Sequence, residues 1–191
     1  FTDIMLMNRS PFQLYNYDAG FTWMRVHVID DYRAVIYELP IRYQKYLLDA
    51  NTSADNDRTG FDAQGKVSYR LIYSDLESLT LQTIGEVQYS TGKNYRLGAV
   101  RVPATWITKL PFFYSTLGLL NTIAAEVDGV YYFNNDYSRK DIFAKASFGV
   151  TKRFGEQWSS SLDYSYQKNF SNVDAAKYSK AVISFAINKE L

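Results

Sequence analysis

Two stretches decide the fold: residues 142–154, IFAKASFGVTKRF, and residues 158–170, WSSSLDYSYQKNF. In the first, the even positions are apolar except Lys152, and the odd positions include Lys145, Ser147, Gly149, Thr151 and Arg153. In the second, the even positions include Trp158, Leu162, Tyr164, Tyr166 and Phe170. Because side chains alternate across a β-strand, each stretch predicts a strand with one apolar face and one polar face.

Charge on the polar face and aromatic residues at the ends of the apolar face are typical of a transmembrane β-barrel. The chain has 17 Tyr, 12 Phe and 3 Trp, and Tyr and Trp favour membrane–water interfaces. No stretch approaches the roughly 20 apolar residues of a membrane helix. The 21 basic and 20 acidic residues are interspersed, which argues against a nucleic-acid surface.

Further runs with the same alternation predict a single domain over 1–191. The expected strands are 20–29, 33–48, 65–75, 79–90, 94–102, 121–133, 141–153, 158–170 and 177–188, with a weaker one near 11–18. Residues 1–17 are ambiguous, and residues 103–120 predict an irregular connection because Pro103 and Pro111 lack backbone donors. The fold class expected is all-β: an antiparallel transmembrane β-barrel of about 8–10 strands, or the C-terminal part of a larger barrel.

Each connection between predicted strands can be assigned to one side of the membrane by counting strands backward from Leu191. The connections then form two sets. Barrels of this kind have short periplasmic turns and longer outer loops. Residues 30–32, 75–78 and 154–158 then lie inside, and the outer set is 49–64, 91–93, 134–140 and 172–176. The longest polar loop therefore falls outside, as expected.

The last predicted strand carries the sequence pattern that is most specific to one class of protein. Lys180, Phe185 and Ile187 have the spacing of the terminal signal read by the barrel-assembly machinery, with Val182 where Gly is usual and four residues following. In this the chain resembles bacterial outer-membrane β-barrel proteins as a class. The resemblance implies location in the outer membrane, contact with the lipid bilayer, insertion by that machinery, and either a partner protein or a homo-oligomer.

Five charged residues are expected to face the barrel interior, namely Glu126, Asp128, Lys145, Arg153 and Asp163. One interpretation is a charged constriction that sets the selectivity of a pore. The other, which we favour, is a set of salt bridges that fills a narrow barrel.

No catalytic, cofactor or metal site is expected. His27 is the only histidine and lies near Asp30 and Asp31, but an interfacial or turn position is favoured over a catalytic base. One His and no Cys cannot build a zinc or haem site. The loop at 49–62 has oxygen-bearing residues at alternate positions but lacks the terminal Glu of a calcium loop.

The sequence thus predicts a non-enzymatic outer-membrane β-barrel, an anchor or scaffold whose outer loops and inner segment meet partner proteins. A pore or secretion barrel with a charged lumen is the first alternative. A soluble periplasmic β-barrel or sandwich with an apolar ligand is the second, and it would reverse the two faces.

Overall fold

Ten antiparallel strands form one sheet, with neighbours in sequence also neighbours in space. The computed structural model describes residues 5–9, 14–46, 54, 57–133, 138–154 and 157–189. The elements are β1 (Met5–Arg9), β2 (Leu14–Asp30), β3 (Arg33–Tyr46), β4 (Gly60–Ser74), β5 (Glu77–Ser90), β6 (Leu97–Thr108), α1 (Pro111–Leu117), β7 (Leu119–Tyr132), β8 (Lys140–Phe154), β9 (Trp158–Ser171) and β10 (Tyr178–Lys189). The prediction of an all-β antiparallel fold is confirmed.

The two faces of the sheet differ in chemistry and in exposure. One face, here called the polar face, carries Asp62, Glu86, Arg101, Asp128 and Lys145. The opposite, apolar face carries large side chains that are exposed, among them Phe61, Val87, Val100, Val127, Phe148 and Phe170. The buried apolar side chains of the described residues are Ala99 and Val130, and the buried polar set is larger: Asp62, Ser68, Ser78, Glu86, Ser90, Thr108, Asn121, Asp141, Asn169 and Ser171. The sheet therefore exposes the surface that a water-soluble fold would bury.

The connections fall into two groups at opposite ends of the strands. At one end, here called the turn end, β2–β3 and β4–β5 are each joined by two residues, and α1 joins β6 to β7. At the other, the loop end, the connections β3–β4, β5–β6, β7–β8 and β9–β10 are longer, with 47–59 the longest. This is the grouping expected from the sequence.

Two prolines interrupt the hydrogen-bonded ladder on one side of their strands. Between β5 and β6 the pairing passes from Leu81↔Ala104 to Ile84↔Arg101, which skips Pro103. Between β3 and β4 it passes from Glu38↔Lys66 to Ile41↔Ala63, which skips Pro40. Both prolines remain paired on their other side. The missing donor of proline explains both gaps.

Several sequence-based boundaries are wrong. The predicted loop 49–64 ends earlier than expected, because β4 begins at Gly60 and not at residue 65. Residues 11–18 and 20–29 were expected as separate strands, but residues 14–30 form the single strand β2, and the first strand is β1. The irregular segment expected at 103–120 is shorter, because β6 continues through Pro103 to Thr108 and β7 begins at Leu119. Helix α1 occupies most of the interval and ends at Gly118, whose φ of 66° is left-handed.

The edges of the sheet are β1 and β10. β1 pairs only with residues 14–18 of β2, so residues 23–30 of β2 pair with β3 alone among the described residues. Side chains on both faces of β10 are exposed along almost its whole length. In the described part of the chain, no helix has the length and apolar character to cross a membrane.

Gly60 and Gly65 provide a matched test of the packing between β4 and β5. A Cβ atom at Gly60 would lie 2.0 Å from the carbonyl oxygen of Tyr89, whereas one at Gly65 would meet nothing within 4 Å. We expect Gly60→Ala to lower the free energy of unfolding by about 1–3 kcal/mol, because backbone must move. Gly65→Ala should change it by less than about 0.5 kcal/mol in denaturant titrations. Equal effects would contradict the packing described for Gly60.

Candidate functional site: charged residues on the polar face

Three charged side chains from neighbouring strands meet at the centre of the polar face. Arg101 of β6 lies with its Nη2 2.5 Å from Oε2 of Glu86 on β5 and its Nε 3.8 Å from Oδ2 of Asp128 on β7. Glu86 is 8% exposed. We call these residues the central triad. A buried carboxylate needs a cation to offset its lost hydration, and Arg101 supplies it.

Two further ion pairs lie on the same face, between β3 and β4. Nη2 of Arg42 donates to Oδ2 of Asp62 at 2.9 Å. Nζ of Lys66 lies 3.6 Å from Oε2 of Glu38. Four ion contacts therefore join opposite charges on neighbouring strands of the polar face.

All five residues predicted to face the interior lie on the polar face. Glu126 is directly opposite Lys145 in the register of β7 and β8. Together with Asp128, Arg101 and Gln167 they line an open cavity of about 340 Å³. This cavity is the candidate site.

The other two predicted residues lie outside the cavity, nearer the turn end. Arg153 is opposite Ser159 at the end of β8, and Asp163 is opposite Gly149 and Ser184. The structure therefore brings together three of the five. Whether any of them lines a lumen remains a prediction.

Sequence reasoning missed Arg101 and Glu86 as site residues. Both lie in strands that the alternation predicted, with Arg101 flanked by the apolar-face residues Val100 and Val102. Alternation assigns a residue to a face but does not show which strand residues are opposite each other. The signal available was charge on three successive predicted strands, all on one face.

His27 lies on the apolar face, close to Trp23, Arg25 and Tyr37, and is exposed. Asp30 does not orient it, because its carboxylate accepts hydrogen bonds from Nε of Arg33 at 2.7 Å and the N–H of Tyr32 at 3.0 Å. The hydrogen bond from Arg33 lowers the pKa of Asp30. The described residues also include no group of three or more His, Cys, Asp or Glu side chains that could hold a metal ion. This arrangement lacks the base and orienter of a hydrolytic triad.

Hydrogen bonds join neighbouring connections in the described part of the loop end. This set of joined connections is here called the collar. The N–H of Gly92 donates to the carbonyl oxygen of Asp57 at 2.8 Å, and the N–H of Phe133 donates to that of Arg96 at 2.7 Å. The N–H of Lys140 donates to Oδ1 of Asn172 at 2.7 Å. These contacts link the described parts of the connections β3–β4, β5–β6, β7–β8 and β9–β10 in order.

The predicted assembly signal lies on the edge strand β10. Lys180 is on the polar face, opposite Gln167. Phe185 and Ile187 are on the apolar face and are 67% and 63% exposed. Their accessibility is compatible with a receptor reading them, and that role remains a prediction.

Glu77 fixes the junction between β6 and α1 at the turn end. Its Oε1 accepts from the N–H of Lys109 at 3.0 Å and from Oγ1 of Thr108 at 3.2 Å, and its Oε2 accepts from Oγ of Ser74 at 3.2 Å. The bond from Lys109 is the main reason that the pKa of Glu77 is lowered from its usual value of 4.5.

We expect Glu77→Ala, which removes the acceptor, to expose the Lys109 amide. A carboxylate with a lowered pKa in the folded state stabilises that state above its unfolded pKa, and this is lost as pH falls through the folded value. Protection of Lys109 from hydrogen exchange, corrected for intrinsic rates, should therefore fall below about pH 4.5 in the parent protein. In Glu77→Ala it should be low at every pH. Asp75→Ala, in the same turn, should behave like the parent, and an equal loss in that variant would contradict the assignment.

Aromatic residues of the apolar face cluster at both ends of the strands. Phe61, Tyr89 and Phe170 lie towards the loop end, and Tyr73, Trp106, Phe154 and Trp158 lie towards the turn end. Lysine ammonium groups stack on several of these rings, for example Lys168 on Phe170 at 4.7 Å and Lys189 on Trp158 at 5.5 Å. The interval between the two belts holds aliphatic residues, including Leu81, Val87, Val100, Val102 and Val127, and also the aromatic residues Phe148, Tyr164 and Tyr166.

Comparisons of this chain with family models, with curated proteins and with solved structures find no match.

Proposed function

We propose that this chain forms the wall of a β-barrel in the outer membrane of a bacterium, and that it acts as a non-enzymatic anchor and scaffold. The observation that carries the proposal is the exposure of large apolar side chains along the apolar face beside a polar face with buried charge. In water this arrangement is unfavourable, because it leaves the larger apolar surface hydrated. In a bilayer it is the favourable one. A soluble barrel with an aromatic-lined ligand cavity would need the opposite distribution.

The spacing of the aromatic belts supports this location. Phe61 and Tyr73 on β4 are 12 positions apart, as are Trp158 and Phe170 on β9. Twelve residues extend about 40 Å along a strand, and a tilt of about 40° reduces this to about 30 Å across the membrane. That length is similar to a hydrocarbon core of about 30 Å, which supports a position of the two belts at the two interfaces.

Charged residues on the apolar face of β8, β9 and β10 also support the proposed membrane location. They are Lys140, Lys152, Lys168 and Lys189. All four lie near strand ends, with the ammonium group over an aromatic ring at 4.7–5.7 Å. A lysine at such a position keeps its stem in the apolar layer and its charge at the polar interface.

Scaffolding is favoured over transport because part of the polar-face charge is paired and the described parts of the loops are joined by hydrogen bonds. The central triad and the Arg42–Asp62 pair neutralise charge that an ion-selective constriction would leave free. The hydrogen-bonded collar at the loop end offers a fixed surface to a partner protein.

A charged pore is the second candidate, and one observation favours it. The cavity of about 340 Å³ beside Glu126 and Lys145 is open, and the sheet has exposed edges at which further strands could enlarge a barrel. Conductance in planar bilayers separates the two candidates. A scaffold gives no channel steps, whereas a pore gives steps whose ion selectivity changes in Lys145→Glu.

The membrane location itself is tested by fractionation and by gel mobility. We expect extraction from membranes only with detergent, and a difference in mobility between boiled and unboiled samples, because a folded membrane barrel resists the detergent of the gel until heated. A monodisperse protein in plain buffer would overturn the proposal.

A further inference from the structure

The polarity of the two faces is reversed at residues 24–28 of β2, within residues 23–30, which are here called the edge segment. Arg25 and His27 lie on the apolar face, opposite Tyr37 and Val35 of β3. The polar face of the same segment carries Met24, Val26 and Val28, which are 57%, 52% and 66% exposed. In the other described strands, charged residues on the apolar face lie near strand ends.

Arg25 and His27 have no hydrogen bond or ion pair with any described residue. They lie between Trp23 and Tyr37 in an open groove of about 410 Å³. A cation within the apolar band is costly unless a counter-charge accompanies it. This cost depends on the proposed membrane location, whereas the groove and its charge do not.

Among the described residues, one side of the edge segment has no partner strand. β1 ends its pairing at Asp18, and among the described residues only β3 pairs with residues 23–30. A strand edge with free N–H and C=O groups and exposed apolar side chains is a template for another strand.

We propose that the edge segment binds an extended strand of a partner polypeptide, antiparallel to β2, that presents a carboxylate to Arg25 and His27. The backbone of that strand would complete the ladder, and its aliphatic side chains would cover Val26 and Val28 on the polar face. Charge and hydrogen bonding together would then satisfy every group that the edge segment leaves exposed.

A second copy of this chain does not meet these requirements. Its free edge is β10, whose apolar face carries Ile183, Phe185, Ile187 and Lys189, with no acid. β2 and β10 are eight antiparallel steps apart in the sheet and therefore run in the same direction. In copies that share one membrane orientation, β10 would meet the edge segment parallel and with the wrong charge.

The test measures binding of synthetic strands to the detergent-solubilised protein by fluorescence anisotropy. One labelled octapeptide alternates Val with Glu, and the other alternates Val with Lys. We expect the Glu peptide to bind at least tenfold more tightly, and Arg25→Glu to reverse that preference. Lys168→Glu, which removes a cation elsewhere on the apolar face, is the matched control and should keep the parent's preference.

Pairing through the backbone is tested with two N-methylated Glu peptides. One is methylated at the odd-numbered residues and the other at the even-numbered residues, and these are here called the two N-methylated phases. At least one phase should abolish binding, because methylation removes the donors that reach β2. Three outcomes would overturn the proposal: neither peptide binds, both N-methylated phases bind like the parent peptide, or Lys168→Glu has the same effect as Arg25→Glu. It is also overturned if Arg25→Glu alters binding of phosphatidylglycerol vesicles but not of the peptides, which would indicate a lipid headgroup site. Because the peptide assay uses detergent, its failure is distinct from failure of membrane insertion.

Discussion

Ala146→Arg is expected to destabilise the membrane-inserted protein by about 2–4 kcal/mol, the cost of an arginine on the lipid face near the bilayer midplane. Ala146 lies midway along β8 on the apolar face, between Ala125 and Tyr166 of the neighbouring strands, and is exposed. The measurement is denaturant unfolding of the protein inserted in lipid vesicles, together with the fraction that inserts.

The control for this prediction is the next residue in the chain. Ser147 lies on the polar face, opposite Ala124 and Ser165. Ser147→Arg should change the free energy of unfolding by less than about 1 kcal/mol, because the new charge stays among polar groups. If Ser147→Arg were the more damaging variant, the apolar face would not be in lipid, and the proposed location would fail.

Arg101→Met is expected to lower the free energy of unfolding by about 3–5 kcal/mol, because it leaves a buried carboxylate without its cation. The residue left unpaired is Glu86, which is 8% exposed, and Asp128 loses the same partner. Denaturant unfolding in detergent is sufficient here, since the triad lies on the polar face.

Two further variants distinguish ion pairing from loss of packing. Arg101→Met combined with Glu86→Gln should recover part of the loss, because the amide carries no charge to compensate. Lys145→Met removes an exposed cation from the same face and should cost at most about 1 kcal/mol. If Arg101→Met is no worse than Lys145→Met, the triad does not stabilise the sheet.

Strand positions could be predicted where alternation is uninterrupted. For β8 and β9 the expected bounds differ from those observed by one residue at most at each end. β2 was divided in error between residues 18 and 20. In the structure Gly20 lies within the strand, where a Cβ would come 2.6 Å from the carbonyl oxygen of Ile41. The glycine is required for close approach of the backbones and not for a turn.

The residues of the candidate site could be predicted only in part, because contacts between strands do not follow from the pattern within one strand. Alternation places Glu126, Asp128 and Lys145 on one face, and the structure agrees. The contact between Arg101 and Glu86 depends on the register between β5 and β6, which stays the same on both sides of the gap at Pro103. Register is a property of two strands, so no pattern within one strand reveals it.

The order of strands in the sheet has a consequence for folding kinetics. Each strand pairs with its immediate neighbour in the chain, so contact order is low for a protein built entirely of strands. Loop-closure entropy is then small at every step, because no hairpin must wait for a distant part of the chain. The sheet can grow by adding one hairpin at a time, like a repeat protein that lengthens by nearest-neighbour interfaces. Every partly folded intermediate would present the unpaired backbone edge of its last strand to the next hairpin.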